Sequence, residues 1–229
     1  MIKYPKIVTE RFDDANFHIS YCLYFIRKYL KGNILEVGAG CGSFTKHYLN
    51  KGINSITLTE LDSTNISNLN SKFETHPNIK VEKKKIDEIN EQFDVIIYLH
   101  VLEHIKDDVN EIKEATKRLN KNGFLIFMVP AHQKIYSNLD KAVGHFRRYE
   151  IDFFKKNFES LEQIEIKFLD TLGFFLYYLN KNTFKNEVFP SKFKIFIWDK
   201  IFTPITILVD FLFRYKFGKC ILAIYKKSS

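Results

Sequence analysis

Ile34-Leu35-Glu36-Val37-Gly38-Ala39-Gly40-Cys41-Gly42 is the stretch on which the reading of this chain turns. Four residues, three of them apolar, make a short strand that runs into a glycine cluster, and the residues after it (44–51) are spaced as a helix. Glycine at a strand-to-helix turn lets the backbone turn tightly and approach a ligand with no Cβ in the way. The details narrow the ligand. A dinucleotide-binding turn spaces its glycines G-x-G-x-x-G to seat a pyrophosphate. Here the third glycine arrives one residue early, and a carboxylate, Glu36, stands two residues before the first. The chain contains no G-x-x-x-x-G-K-[ST], which excludes a nucleoside-triphosphate loop.

Outward from this turn, strands and helices alternate. Residues 13–31 carry apolar side chains at helical spacing, with Gly32 to stop the helix. Strands are expected at Ile53–Leu61, Ile79–Glu82, Phe93–Leu99 and Gly123–Val129, and a helix at about 63–73. Asp107–Leu119 reads as a helix with acids early and bases late, as the helix dipole prefers. Such alternation means a parallel sheet covered on both faces. Beyond residue 150 the rhythm changes: Ile164–Thr171 and Cys220–Lys226 read as strands, with a long aromatic helical segment between them. No linker rich in Pro, Gly or Ser interrupts the chain, so one domain is expected over residues 1–229.

Composition sets the limits. The 229 residues, 45% hydrophobic and 27% charged, suffice for one sizeable core and exclude a disordered chain. Three distant cysteines (Cys22, Cys41, Cys220) argue against a disulfide framework or a cysteine zinc site. The polar first fourteen residues do not read as a signal peptide, so a cytoplasmic location is expected. The net charge of +8 is uneven: residues 171–229 hold 10 Lys+Arg against 3 Asp+Glu, and 15 of the aromatics. The tail therefore suits an anionic partner.

ILEVGAGCG resembles the first motif of class I S-adenosylmethionine-dependent methyltransferases. The resemblance implies a Rossmann-like α/β fold, doubly wound, with seven strands in the order 3-2-1-4-5-7-6 and the last strand antiparallel. It also implies S-adenosyl-L-methionine as cofactor, facing Gly38, Ala39, Gly40 and Gly42, with Glu36 helping to hold the aminoacyl end. Glu60, ending the second strand beside Leu61, matches the acid that accepts from the ribose hydroxyls. Asp62 shares its side of the strand and is expected to face water. Asp87 follows the third strand, where the family often places a side chain at the adenine amine. Phe93–His104 is similar to the fourth strand and its exit loop, which puts Leu99, His100 and His104 under the cofactor.

His100-Val101-Leu102-Glu103-His104 also spells H-x-x-E-H, an inverted zinc-protease signature. That chemistry needs the motif inside a helix, and here it follows directly on a buried strand. No metal is expected from this reading.

Ligands of open parallel sheets bind beyond the carboxyl ends of the strands, so the acceptor site is expected after the fifth strand. That loop holds His132, Tyr136, His145, Arg147, Arg148 and Tyr149. Its wording, P-A-H followed by G-H-F-R-R-Y, resembles a bacterial methyltransferase subgroup linked to surface-sugar or lipid assembly, which implies small or carrier-linked acceptors rather than macromolecules. Methyl transfer to a hydroxyl needs a base, and histidine is suited to it. His145 and His132 are the candidates, with His100 behind them. Arginine grips carboxylates and phosphates bidentately, so Arg147 or Arg148 is expected to hold an anionic acceptor, with Tyr136 and Tyr149 nearby.

Ile195–Phe213 is apolar, but Asp199, Lys200 and Asp210 interrupt it and Pro204 is expected to break it, so a membrane-spanning helix is not expected. Residues 174–218 are read as a helical insertion that covers the pocket, with peripheral contact to an anionic membrane as a further expectation. The expected activity is methyl transfer to a hydroxyl, an amine ranking after it. RNA methylation is the alternative that the basic tail prompts, and a non-catalytic cofactor-binding scaffold is a further one. A tail with one arginine, Arg214, argues against nucleic acid.

Overall fold

β1 (Gly32–Val37), the strand before the glycine turn, is buried from Ile34 to Val37, which requires neighbours on both edges and helices on both faces. In the computed structural model, which describes residues 13–155, 158, 160–180 and 191–228, both are present. β2 (Ile53–Thr59) and β4 (Phe93–Leu99) flank β1 in parallel. β3 (Ile79–Glu82) lies outside β2, and β5 (Leu119–Pro130) outside β4. β7 (Cys220–Lys227) runs antiparallel between β5 and β6 (Leu161–Leu169). The order β3-β2-β1-β4-β5-β7-β6 is the one expected.

α1 (Asn16–Ile26), α2 (Thr45–Tyr48) and α3 (Ser63–Lys72) cover one face. Leu23, Tyr48 and Leu69 pack there against Ile34, Leu58 and Ile97. α4 (Asp108–Lys117) and α6 (Ile151–Lys155) cover the other, with Ile112 and Phe154 against Leu35, Ile96 and Leu125. Truncating one such core side chain to alanine costs about 2–5 kcal/mol.

Some boundaries differ from the sequence reading. The first helix is Asn16–Ile26 rather than 13–31, and α2 is a single turn. α4 stops before Leu119, because Arg118 folds back onto the Ile89 carbonyl (2.9 Å) and Leu119 pairs with Phe93. The bulge that follows holds Asn122 at φ 64°.

The tail departs most. α7 (Thr171–Asn180), α8 (Lys192–Ile197) and α9 (Thr203–Leu212) lie between β6 and β7. Residues 181–190 of the expected 174–218 insertion lie outside the described residues. Pro204 does not break the helix. It sits in the first turn of α9, where its missing N–H costs nothing, and a π-helical turn (Trp198–Phe202) joins α8 to α9. Asp199 and Asp210 are buried rather than solvated. Asp199 accepts from His18 N (2.9 Å) at the start of α1. Asp210 accepts from the Tyr21 hydroxyl (2.6 Å) and from Asp170 N and Thr171 N (2.7 and 2.8 Å) at the start of α7. Each acid thus satisfies amides at a helix N-terminus from across the fold. Among the described residues, no helix is long and apolar enough to cross a membrane.

Candidate active site

Turns at the carboxyl ends of β1, β2, β4 and β5 open into one cleft of about 1750 Å³, and α7, α8 and the π turn close its far side with Tyr177, Ile195 and Trp198. A pocket of that size exceeds the usual ~300–1,000 Å³ of a single-ligand site and suits two ligands.

The glycine turn forms one wall, where Gly38, Ala39 and Gly40 line the cleft. Gly38 has φ +66°, and a Cβ there would meet Val101 Cγ1 at 2.8 Å. At Gly40 (φ +57°) a Cβ would meet nothing within 4 Å, because that direction is the open cleft. The backbone is therefore bare where a ligand would lie against it. Glu60 is folded onto this turn: Oε2 accepts from Gly40 N (2.9 Å), and Oε1 from Leu61 N and Asp62 N (2.6 and 2.9 Å). Asp62 does not simply face water. It lines the cleft and caps α3, accepting from Thr64 N and Asn65 N.

Leu61, Leu99, His100 and His104 line the cleft, whereas three other residues expected to face the cofactor do not. Glu36 is 2% exposed and turned under α2, accepting from Thr45 Oγ1 (2.7 Å) and the Tyr48 hydroxyl (2.6 Å). Burial pushes its pKa up to about 7, against the pull of those two donors. Gly42 packs towards Phe73 and Leu69. Asp87 is exposed on a 3₁₀ turn (Ile86–Glu88), and its neighbour Ile86 is the residue that lines the cleft.

The H-x-x-E-H segment forms a single 3₁₀ turn (Leu102–His104) beyond His100, which sits at φ 59°. Glu103 is fully buried. Its Oε1 lies 3.7 Å from His100 Nδ1 and 3.8 Å from His145 Nε2. The His104 and His145 rings meet edge to face at 4.7 Å.

His145 reaches the cleft from the loop after β5. α5 (Asn138–Val143) starts with a capping box in which the Asp140 carboxylate accepts from Ser137 N (2.8 Å), and it ends on Gly144 at φ +85°. That left-handed turn reverses the chain, so that His145 Nδ1 meets Asp140 Oδ1 at 2.8 Å. Arg148 Nε donates to the same oxygen at 2.9 Å. Burial would raise the Asp140 pKa, but His145 and the Arg148 guanidinium hold it well below the usual carboxylate range. Tyr136 donates to the His145 carbonyl at 2.5 Å, holding the loop rather than facing the cleft.

The other acceptor candidates separate. Arg148 lines the cleft, paired with Asp140. Arg147 does not; it pairs with Asp108 (2.7 Å), which also accepts from the buried Tyr149 hydroxyl (2.8 Å). His132 has φ 64°, which turns its ring out of the cleft to stack on Phe168 with centroids 5.1 Å apart. Cleft residues the sequence reading missed are Glu103, Asp140, Tyr177 and Lys219, the last paired with the buried Asp170 at 2.8 Å. Two of these left a signal, Asp140 in the Ser137-x-x-Asp140 cap and Glu103 in H-x-x-E-H.

A family model for a methyltransferase domain matches residues 19–165. Among curated proteins, a hybrid polyketide–nonribosomal peptide synthetase of Neonectria sp. (strain DH2) is 31% identical over 112 residues, which are 44% of this chain and 3% of that much longer protein. The fold is similar to that of the N-methyltransferase NodS from Bradyrhizobium japonicum WM9 in complex with S-adenosylhomocysteine. The TM-score is 0.62 at 17% identity, covering 96% of this chain and 91% of that one. Coclaurine N-methyltransferase bound to N-methylheliamine and S-adenosylhomocysteine gives 0.64 at 13%, covering 93% and 72%. An S-adenosylmethionine-dependent methyltransferase from Clostridium acetobutylicum ATCC 824 gives 0.56 at 15%, covering 95% and 92%.

Proposed function

Because this chain belongs to the methyltransferase-domain family, we propose that it transfers the methyl group of S-adenosylmethionine to a hydroxyl of a small or carrier-linked anionic acceptor. The observation that carries this reading is the pairing of two features in one cleft. One part of its lining has the bare backbone at Gly40 and the Glu60 carboxylate; another has His145, held by Asp140.

S-adenosylmethionine fits the first part. Its sulfonium supplies a methyl group open to in-line displacement. Gly38, Ala39 and Gly40 would lie against it, and Glu60 would exchange its backbone donors for ligand hydroxyls. In the second part, ionised Asp140 favours the tautomer with the proton on Nδ1. Nε2 is then left with its lone pair, able to take a proton from an acceptor hydroxyl. An amine acceptor loses its proton more readily and needs no such oriented histidine, which is why a hydroxyl is preferred. Lys83, Lys84, Lys85 and Lys106 on the cleft rim suit an anionic acceptor.

A second observation bears on the partner. Phe193, Phe196, Leu208, Phe211 and Leu212 on α8 and α9 are exposed, Phe193 by 70% and Leu212 by 67%. Five large apolar side chains exposed on two consecutive helices suit a contact site, and the tail carries a net charge of +7. The chemistry that matches both is an anionic lipid surface, with rings in the headgroup layer and lysines at phosphates. A lipid-linked acceptor would then meet the cleft at the membrane. Titration calorimetry with S-adenosylhomocysteine tests the core reading: saturable one-to-one binding supports it, and no binding overturns it.

A further inference from the structure

We propose that Glu103, His104 and His145 form a binding site for one first-row divalent cation of the zinc or manganese class, with His100 at its edge. Glu103 motivates the site. It is 0% exposed, and among the described residues neither carboxylate oxygen has a hydrogen-bond partner. A buried carboxylate in that condition is costly unless something positive sits beside it. His100 Nδ1 and His145 Nε2 stand 3.7 and 3.8 Å from Oε1, too far for hydrogen bonds. The His145–Glu103 spacing is that of two atoms sharing a metal ion, since bonds of ~2.0–2.2 Å place two ligand atoms ~3–4.4 Å apart.

The ligand atoms of Glu103, His104 and His145 all lie within 4.8 Å of one another. The shell behind them is already built. A metal-bound histidine gives its other ring nitrogen to a carboxylate or backbone carbonyl, which fixes the tautomer. His145 Nδ1 is held in this way by Asp140 Oδ1 at 2.8 Å. Two imidazoles and one carboxylate suit zinc, manganese or iron, and disfavour magnesium and calcium, which take oxygen donors. Three protein ligands at a cleft wall leave positions open for an exogenous oxygen.

The site deepens the proposed reaction and rests on that reading only for its consequence. A cation here would lower the proton affinity of an acceptor hydroxyl. With the ion bound, His145 Nε2 would be a ligand in place of its role as base, and the hydroxyl proton would pass to water at the cleft mouth.

The full chain, stripped with chelator, is titrated by calorimetry with Zn²⁺, Mn²⁺ and Mg²⁺, and separately with S-adenosylhomocysteine. One equivalent of Zn²⁺ or Mn²⁺ is expected, with Mg²⁺ at least tenfold weaker. Glu103→Gln and His104→Gln should each weaken uptake by at least about 10- to 100-fold, the cost of losing even an outer-shell partner, with thermal melts confirming that both variants fold. Absence of stoichiometric uptake in the wild type overturns the site. So does uptake by both folded variants at wild-type affinity, which would assign the metal to surface histidines. Loss of S-adenosylhomocysteine binding with metal uptake intact would instead overturn the methyl-transfer reading and leave the site standing.

Discussion

His145 Nδ1 lies 2.8 Å from Oδ1 of Asp140, a residue that is 1% exposed and shares that oxygen with Arg148. A carboxylate so enclosed fixes the imidazole in one orientation, whether Nε2 takes a proton or holds a cation. Replacing His145 with Gln is expected to slow methyl transfer about 10²–10⁴-fold. S-adenosylhomocysteine affinity should change less than twofold. Single-turnover transfer of labelled methyl groups into the acceptor fraction measures the first, and calorimetry the second.

The glycine turn gives a sharper test of the cofactor side. Gly40→Val places a branched side chain into the open cleft at φ +57° and should abolish S-adenosylhomocysteine binding. Glu60→Ala should weaken it by about 1.5–3 kcal/mol, the scale for hydrogen bonds to a charged group. Wild-type affinity in both would overturn the cofactor placement.

Glu36 makes stability depend on pH. Its pKa is raised to about 7 in the fold against about 4.3 in an unfolded chain. The folded state therefore holds the extra proton between those values, and stability falls as pH rises through that window. Glu36→Gln keeps acceptors for Thr45 and Tyr48 but removes the titration. Relative to that variant, the wild type should lose about 3 kcal/mol between pH 4.5 and 7.5 and then level off. Urea melts at pH 4.5, 6 and 7.5 check this, and a constant difference would count against it.

The exposed rings of α8 and α9 should carry the chain onto anionic vesicles at low salt and release it near ~0.5 M salt, where the screening length falls towards 3 Å. Neutral vesicles should retain much less. Replacing Phe193 and Leu212 together with Ser should reduce the sedimented fraction severalfold without moving the melting temperature, since both side chains are largely exposed. Retention of the double variant at wild-type level would argue against a lipid contact at this face.

Asp210 anchors the covering helices to the sheet. Asp210→Ala leaves the amides of Asp170 and Thr171 and the hydroxyl of Tyr21 without their acceptor. Each orphaned buried donor costs about 1–3 kcal/mol, so a drop of several kcal/mol in denaturant melts is expected.

The glycine turn and the strand order were legible because each parallel strand is an apolar run closed by a turn, a local signal. Which face a side chain takes was not. Glu36 lies on a strand buried on both sides, where no polar alternation marks the direction of the cleft. His132 and His145 look equivalent in sequence, but a positive φ turns the first into the Phe168 stack, while Gly144 turns the second inward. Asp199 and Asp210 read as interruptions of an apolar helix, because their partners, His18 and Tyr21, are more than 180 residues away. The H-x-x-E-H spacing points to a helical zinc signature rather than to the Glu103 cluster, which forms on a 3₁₀ turn. Its third ligand, His145, comes from another loop, and no spacing rule spans that gap.

β7 sets the order in which this molecule can be finished. It is wedged between β5 and β6, yet it is made after both and after the covering helices. Until Cys220–Lys227 has left the ribosome, β5 and β6 have facing edges with nothing between them, and Lys219 cannot meet Asp170 beneath the cleft. A nascent chain stopped short of residue 220 thus presents two open strand edges and the exposed rings of α8 and α9 together. Those are the surfaces through which unfinished chains stick to one another. The antiparallel strand acts as a closing key, and the interval before its arrival is when a chaperone would be needed most.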